Sequence, residues 1–180
     1  MNSTPINPIL QRAKSIKLFA FDVDGVLTDG RLYFTQEGER IKVFNATDGL
    51  GIKWLQSIGI KTGVITARRS KMLEKRVQEL GIDYLIQGQE NKAHGIQELV
   101  QKSHYQPKQF AYMGDDLPDL GALQTVGLAM TVVNAPAIIQ KHAHWISKKT
   151  GGDGAVREAC EYILQAQEQL ESIYQRYYIP

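Results

Sequence analysis

Two aspartates, Asp22 and Asp24, close the apolar run Leu18-Phe-Ala-Phe21 and are followed at once by Gly25. Such a run between turn-forming residues reads as a strand buried on both faces, and the i, i+2 spacing aims both carboxylates towards one pole of a sheet. A D-x-D-G stretch arises by chance in roughly 3% of chains this long, and its plain reading is a polar strand end and a turn. Three further segments end in comparable chemistry. Val64-Ile-Thr66 ends in a hydroxyl followed by Ala67-Arg68-Arg69, Lys92 opens a helical pattern after Gly88, and Tyr112-Met-Gly-Asp-Asp-Leu-Pro-Asp119 carries Asp115, Asp116 and Asp119. Taken singly, Thr66 reads as a helix cap, Lys92 as a solvated charge, and the aspartates as an acidic first helical turn. Four such groups in order at successive strand ends are much harder to explain as caps. Together they offer carboxylates to a hard cation, and a hydroxyl and cations to an anion.

The elements that must position these groups alternate between strand and helix. Arg31–Phe34 and Ile41–Phe44 flank the turn-rich Thr35–Glu39 and predict a β-hairpin. Asp48-Gly49 opens a helix that stops at Gly59, and a strand over Ile60–Thr66 follows. Helices are predicted over Ser70–Leu80, Asn91–Lys102 and Leu117–Leu123, from Ala135, and from about Gly154 to Ile173. Strands are predicted over Tyr84–Ile86, Phe110–Met113, Gly127–Val132 and Trp145–Ile146. Repeated β-α-β order implies an α/β fold, a three-layer doubly wound parallel sheet, whose ligands bind beyond the carboxyl ends of the strands. The interval from Thr28 to Asp48 has room for a small hairpin flap (about 28–47) and no large cap domain. The organisation read from this pattern is an amino-terminal extension 1–15, a single domain 16–173, and a carboxyl-terminal tail 174–180.

Composition narrows the function classes. The chain has 180 residues and a formal charge of +2, too little to argue for nucleic acid or an anionic membrane. The single cysteine, Cys160, sits among Val156, Ala159 and Ile163 and reads as a buried helical thiol suited to a reducing compartment. No apolar segment of signal-peptide or membrane-spanning character is evident, so a soluble cytoplasmic protein is expected. No G-x-G-x-x-G follows the first strand, which argues against dinucleotide binding. A response-regulator reading explains the acidic cluster but not the Asp22-x-Asp24 pair or the glycine-rich Gly151–Gly154.

The set Asp22-x-Asp24-Gly-Val, Thr66, Lys92 and Gly114-Asp-Asp-x-x-Asp119 resembles the haloacid dehalogenase superfamily of aspartate-nucleophile phosphotransferases. More narrowly, Asp22–Gly30, Asp48-Gly-Leu-Gly-Ile52, Gln87-Gly-Gln-Glu-Asn-Lys92, Gly114-Asp-Asp116 and Gly151-Gly-Asp-Gly-Ala-Val-Arg-Glu158 resemble the 3-deoxy-D-manno-octulosonate 8-phosphate (Kdo 8-phosphate) phosphatases. The likeness runs from about Ile16 to Leu170. It implies a Rossmann-like fold and Mg²⁺-dependent hydrolysis of Kdo 8-phosphate through an aspartyl-phosphate, in lipopolysaccharide biosynthesis. A cation is chemically apt: at 4 Å and an effective dielectric of 20, a carboxylate and a phosphate dianion repel by about 8 kcal/mol, roughly six powers of ten in rate.

By this resemblance Asp22 is the nucleophile and Asp24 the general acid and base. Asp22 and Asp115 would give carboxylate oxygens to the metal and Asp24 its backbone carbonyl. Asp116 and Asp119 would orient the metal's surroundings, and Thr66 and Lys92 would bind phosphoryl oxygens. For the sugar acid, Arg68 is the first candidate because a guanidinium grips a carboxylate bidentately. Asp48, Gly49, Arg76 and Arg157 are further candidates, with surface ion pairing as the plain reading of the two arginines. Capless members of the family form tetramers, which assigns a lid role to parts of Leu32–Phe44 and Gly151–Glu158. The apolar hairpin side chains fit burial between subunits. Thr47, Ala67 and Asp153 depart from the family pattern, where arginine, glycine and arginine are common. They bear on which sugar is gripped, so a nonulosonate 9-phosphate phosphatase is the alternative; Arg68 favours the Kdo enzyme, since that sister group often carries glutamate there. A noncatalytic oligomerisation module is a more distant reading.

Overall fold

Leu18–Phe21 (β1) is buried along its whole length, as its composition predicts. In this computed structural model, which describes residues 7–178, β1 lies inside a six-stranded sheet. Residues 1–6 of the amino-terminal extension and 179–180 of the tail lie outside the described residues. Lys61–Thr66 (β4) and Phe110–Met113 (β6) flank β1. Tyr84–Gln87 (β5) extends one side, and Leu128–Thr131 (β7) and Trp145–Ile146 (β8) the other, giving the order β5-β4-β1-β6-β7-β8. Every pairing in this sheet is parallel. The chain runs outward from β1 through β4 to β5, then returns to β6 on the other side of β1. That reversal opens a crevice beyond the carboxyl ends of β1 and β6, where Asp22 and Asp115 follow.

Helices cover the sheet. Pro8–Lys14 (α1), Ala46–Ser57 (α2) and Ala155–Ala166 (α7) pack together, as do Lys92–Ser103 (α4), Leu120–Thr125 (α5) and Ala137–His142 (α6). Lys71–Leu80 (α3) adjoins α2, and Leu170–Gln175 (α8) adjoins α7. The fully buried Leu18, Phe19 and Phe21 each stabilise the core by about 1.5–3 kcal/mol. Cys160 is buried on α7, and burial raises its thiol well above the ordinary range.

The structure moves several predicted boundaries. The hairpin strands are Tyr33–Thr35 (β2) and Gly38–Ile41 (β3), so the turn is tighter than expected, with Gly38 at φ 103° supplying the left-handed residue. Helix α2 starts before Asp48 because the Asn45 side chain caps it by accepting from the Thr47 amide at 2.8 Å. The predicted helix 154–173 is two helices: Glu168 adopts φ 60°, and Gln167 turns aside to donate to the carbonyls of Ala13 and Ile16. The predicted helix 117–123 begins as a 3-10 turn over Leu117–Asp119. Part of the amino-terminal extension is α1, which Asn7 caps ahead of Pro8 at the first helical position.

Candidate active site

The Asp22 amide donates to the Met113 carbonyl at 2.9 Å, one step beyond the β1–β6 ladder, so Asp22 leaves the sheet along the strand direction. The chain then turns on the Val23 carbonyl, which accepts from the amides of Leu27 and Thr28. Gly25 sits at φ 93°, and a side chain there would run into the Asp115 carboxylate. The glycine of the motif therefore lets the acidic ends of β1 and β6 approach each other.

Lys92 opens α4 with 2% of its side chain exposed. Its ammonium meets Asp22 Oδ1 at 2.6 Å, the Ile65 carbonyl at 3.1 Å and Asp119 Oδ1 at 3.5 Å. A buried ammonium is tolerable only with such partners, so the solvated-charge reading of Lys92 does not apply. Asp119 is fully buried with both oxygens engaged. Oδ1 accepts from the Tyr112 hydroxyl at 2.7 Å, and Oδ2 accepts from the amides of Asp115 and Asp116 at 2.9 and 3.1 Å. Asp116 caps the 3-10 turn by accepting from the Leu117 amide. Thr66 ends β4, 3% exposed, with its hydroxyl oxygen accepting from the Arg68 amide at 3.3 Å.

Carboxylate oxygens of Asp22, Asp115 and Asp119 lie within 4.8 Å of one another. Burial first, and then the charge of Asp119, raises Asp22 to about 6 against the pull of Lys92. Burial, then Asp119 and Asp22, raises Asp115 to about 7. Three crowded carboxylates with one ammonium lack positive charge, and their hard oxygens suit Mg²⁺. With Asp119 already committed to four donors, Asp22 and Asp115 have oxygens free for a cation.

A second group surrounds Asp24. The Lys42 ammonium pairs with Asp24 Oδ1 and lies 3.5 Å from Glu39 Oε1, with 3% of the lysine side chain exposed. Arg68 reaches from the loop after β4, its Nε 4.0 Å from Asp24 Oδ2 and its Nη2 3.0 Å from Glu39 Oε2. Glu39 and Lys42 were missing from the predicted site. The sequence carries no signal for them, because alternation across Ile41, Lys42 and Val43 favours the apolar pair inward, whereas Ile41 and Val43 are 55% and 53% exposed and Lys42 turns inward.

The remaining candidates are brought together elsewhere, at the joint of α2, α3 and α7. Asp48, 2% exposed, accepts the Arg157 amide at 2.8 Å through Oδ1, and burial raises it to about 6. Arg157 lies over the Trp54 ring at 3.6 Å and donates to Glu161. Arg76 fills the space above Gly49 and donates to the Asn45 carbonyl at 3.3 Å. Among the described residues no hydrogen bond or ion pair links Asp48, Arg76 or Arg157 to Asp22, Asp24 or Asp115. Gly151 and Gly152 are no loose linker within the chain. The Gly152 amide donates to the Val26 carbonyl at 3.0 Å, and a side chain on Gly151 would strike the Gly25 carbonyl.

The chain has relatives in both sequence and fold. Residues 85–159 match the haloacid dehalogenase-like hydrolases. The 3-deoxy-D-manno-octulosonate 8-phosphate phosphatase KdsC of Yersinia pestis is 45% identical over 163 residues, spanning 91% of this chain and 87% of its own. The crystal structure of that phosphatase from Moraxella catarrhalis, in complex with magnesium, phosphate and KDO, superposes with a TM-score of 0.93 at 43% identity over 96% of this chain and 99% of its own. A probable YrbI family phosphatase from Pseudomonas syringae gives 0.92 at 48% identity over 94% and 97%. The six-stranded sheet with its small hairpin is the fold of these enzymes, and the chain belongs to the 3-deoxy-D-manno-octulosonate 8-phosphate phosphatase family of haloacid dehalogenase-like hydrolases.

Proposed function

We propose that the protein hydrolyses Kdo 8-phosphate to Kdo and phosphate, the step that releases the free sugar acid for lipopolysaccharide synthesis. The observation that carries this reading is the pairing of Asp22 with Lys92 and its clustering with Asp115, with Thr66 at the end of the neighbouring β4, in a chain 45% identical to KdsC over 91% of its length. Asp22 is the nucleophile. Lys92 pairs with its carboxylate, one oxygen of which attacks phosphorus to form an aspartyl-phosphate while the other is left to the cation. Asp24 protonates the departing sugar alkoxide and then takes a proton from the water that cleaves the acyl phosphate. Thr66 and Lys92 donate to phosphoryl oxygens as charge develops there. Carboxylate oxygens of Asp22 and Asp115 and the Asp24 carbonyl would hold Mg²⁺, which would supply positive charge against the repulsion between nucleophile and phosphate. Asp119 and Asp116 act on the Asp115 loop, Asp119 by fixing two of its amides.

Leu32, Phe34, Ile41 and Val43 form an exposed apolar face on the hairpin, which supports assembly as a homotetramer with neighbouring subunits closing the sites. No helix among the described residues is long and apolar enough to cross a membrane; a cytoplasmic enzyme accords with this reading. The test is phosphate release from Kdo 8-phosphate and from a nonulosonate 9-phosphate, each with Mg²⁺ and with chelator. Metal-dependent release from Kdo 8-phosphate is expected. Preference for the nine-carbon ester moves the enzyme to the sister specificity, and release from neither overturns the reading.

A further inference from the structure

Glu39 is a carboxylate held between two cations that phosphoryl transfer does not use. Arg68 donates to its Oε2 at 3.0 Å, and the Lys42 ammonium stands 3.5 Å from its Oε1. That Oε1 is buried and makes no hydrogen bond, a costly state for a carboxylate oxygen. The group does not serve a hydrophobic core either, since β2 is exposed throughout and the outward Ile41 and Val43 are half exposed. A cleft bordered by Phe34, Glu39, Arg68, Arg69, Ser70 and Met72 opens beside it. On its other side Lys42 pairs with Asp24, the group that faces the leaving sugar in the proposed reaction.

We infer that Lys42 and Arg68 form the recognition site for the carboxylate of the substrate, and that Glu39 fills this site in the free enzyme and yields it when the sugar acid binds. The inference rests on the sugar-acid phosphatase reading and adds to it a residue, Lys42, and an exchange. Charge is conserved in the exchange. In the free enzyme Asp24 and Glu39 balance Lys42 and Arg68. With substrate bound, its carboxylate takes the place of Glu39, whose own carboxylate passes to the open cleft and is hydrated there. No unpaired charge is buried at either stage. A phosphate ester lacking the carboxylate leaves Glu39 in place and forgoes the gain, so discrimination arises from a polar group built to be satisfied by one substrate class.

Equilibrium titration of Kdo and of its methyl ester into the Mg²⁺-loaded protein tests the carboxylate, because the ester removes its charge and adds only a methyl group. Lys42→Gln is expected to cut the preference for Kdo over the ester by at least about tenfold, and Glu39→Gln to raise it about fivefold. Lys42→Arg should restore most of the preference, and thermal melts of each variant report folding. An unchanged preference in Lys42→Gln, or weaker Kdo binding in Glu39→Gln, overturns the exchange. Kdo 8-phosphate turnover by the unaltered enzyme separates the two claims: turnover with unaltered preferences strikes the exchange alone, whereas no turnover strikes the phosphatase reading itself.

Discussion

The crevice at β1 and β6 and the hairpin above it both hold buried lysines against aspartates, yet they are built on opposite plans. Lys92 and Asp22 sit on elements locked into the sheet and its helices, and their neighbours Asp119 and Tyr112 are fully buried. Lys42 and Glu39 sit on a two-stranded ribbon whose strands pair with each other and with no strand of the main sheet. The first plan fixes reacting groups to within the tolerance that phosphoryl transfer demands. The second places charge on a separate hairpin beside an open cleft, where a substrate could compete for it. On the proposed reading, chemistry belongs to the sheet and selection to the hairpin.

Asp22→Asn gives the largest expected effect. It keeps the shape of the site but removes the nucleophile, so turnover should fall by at least about 10⁴-fold with little change in the melting temperature. Retained turnover would show that the rigid cluster does not do the chemistry. Lys92→Ala comes next, because it leaves Asp22 and Asp119 buried without their cation. A 10²–10³-fold loss in kcat, of about the size of a lost charge-stabilising donor, is expected with a stability loss of about 3–5 kcal/mol by denaturant unfolding. Lys42→Gln, on the hairpin, should cost less, because Arg68 still faces both Asp24 and Glu39. Equal destabilisation by the two lysine variants would erase the contrast between the regions.

Protons sharpen the same contrast. Burial and neighbouring carboxylates raise Asp22 to about 6 and Asp115 to about 7, against an ordinary value of 3.8. Between those values the metal-free folded protein holds more protons than the unfolded chain, so its stability falls as pH rises through that window. Mg²⁺ binds the deprotonated carboxylates, and its stabilising effect grows over the same range. The rise in melting temperature on adding saturating Mg²⁺ should therefore be greater near about pH 8 than near about pH 5. An equal rise at both would mean that the metal does not engage these two carboxylates.

The two plans also explain what could be read from the sequence. Asp22, Thr66, Lys92 and Asp115 each follow an apolar strand or open a helix, so local pattern places them on one edge of a parallel sheet. The pair between Lys42 and Asp24 joins positions 18 apart through a hairpin, and a one-residue shift in register would turn Lys42 outward. Propensity does not decide that register; the hairpin strands came out displaced from Arg31–Phe34 and Ile41–Phe44. The helix break at Glu168 was hidden for a related reason, since the Gln167 side chain bonds α1, more than 150 positions away. Asn7 before Pro8 carries a helix-start signal that the reading of 1–15 as an extension left unused.

The smallest effect concerns the outer face of the hairpin. Ile41 and Val43 are about half exposed, so Ile41→Ser with Val43→Ser removes little burial within one subunit. Surface changes of this kind lie within about 0.5 kcal/mol of neutral each when the chain stands alone. A tetramer that covers this face changes the outcome, because each apolar side chain buried against a neighbour adds about 1.5–3 kcal/mol. The double variant should then dissociate on dilution, in sedimentation or light scattering, at concentrations where the unaltered protein remains assembled. Activity per subunit would fall with dissociation if neighbours hold the hairpins closed, and would persist if each hairpin closes its own site through Lys42 and Glu39.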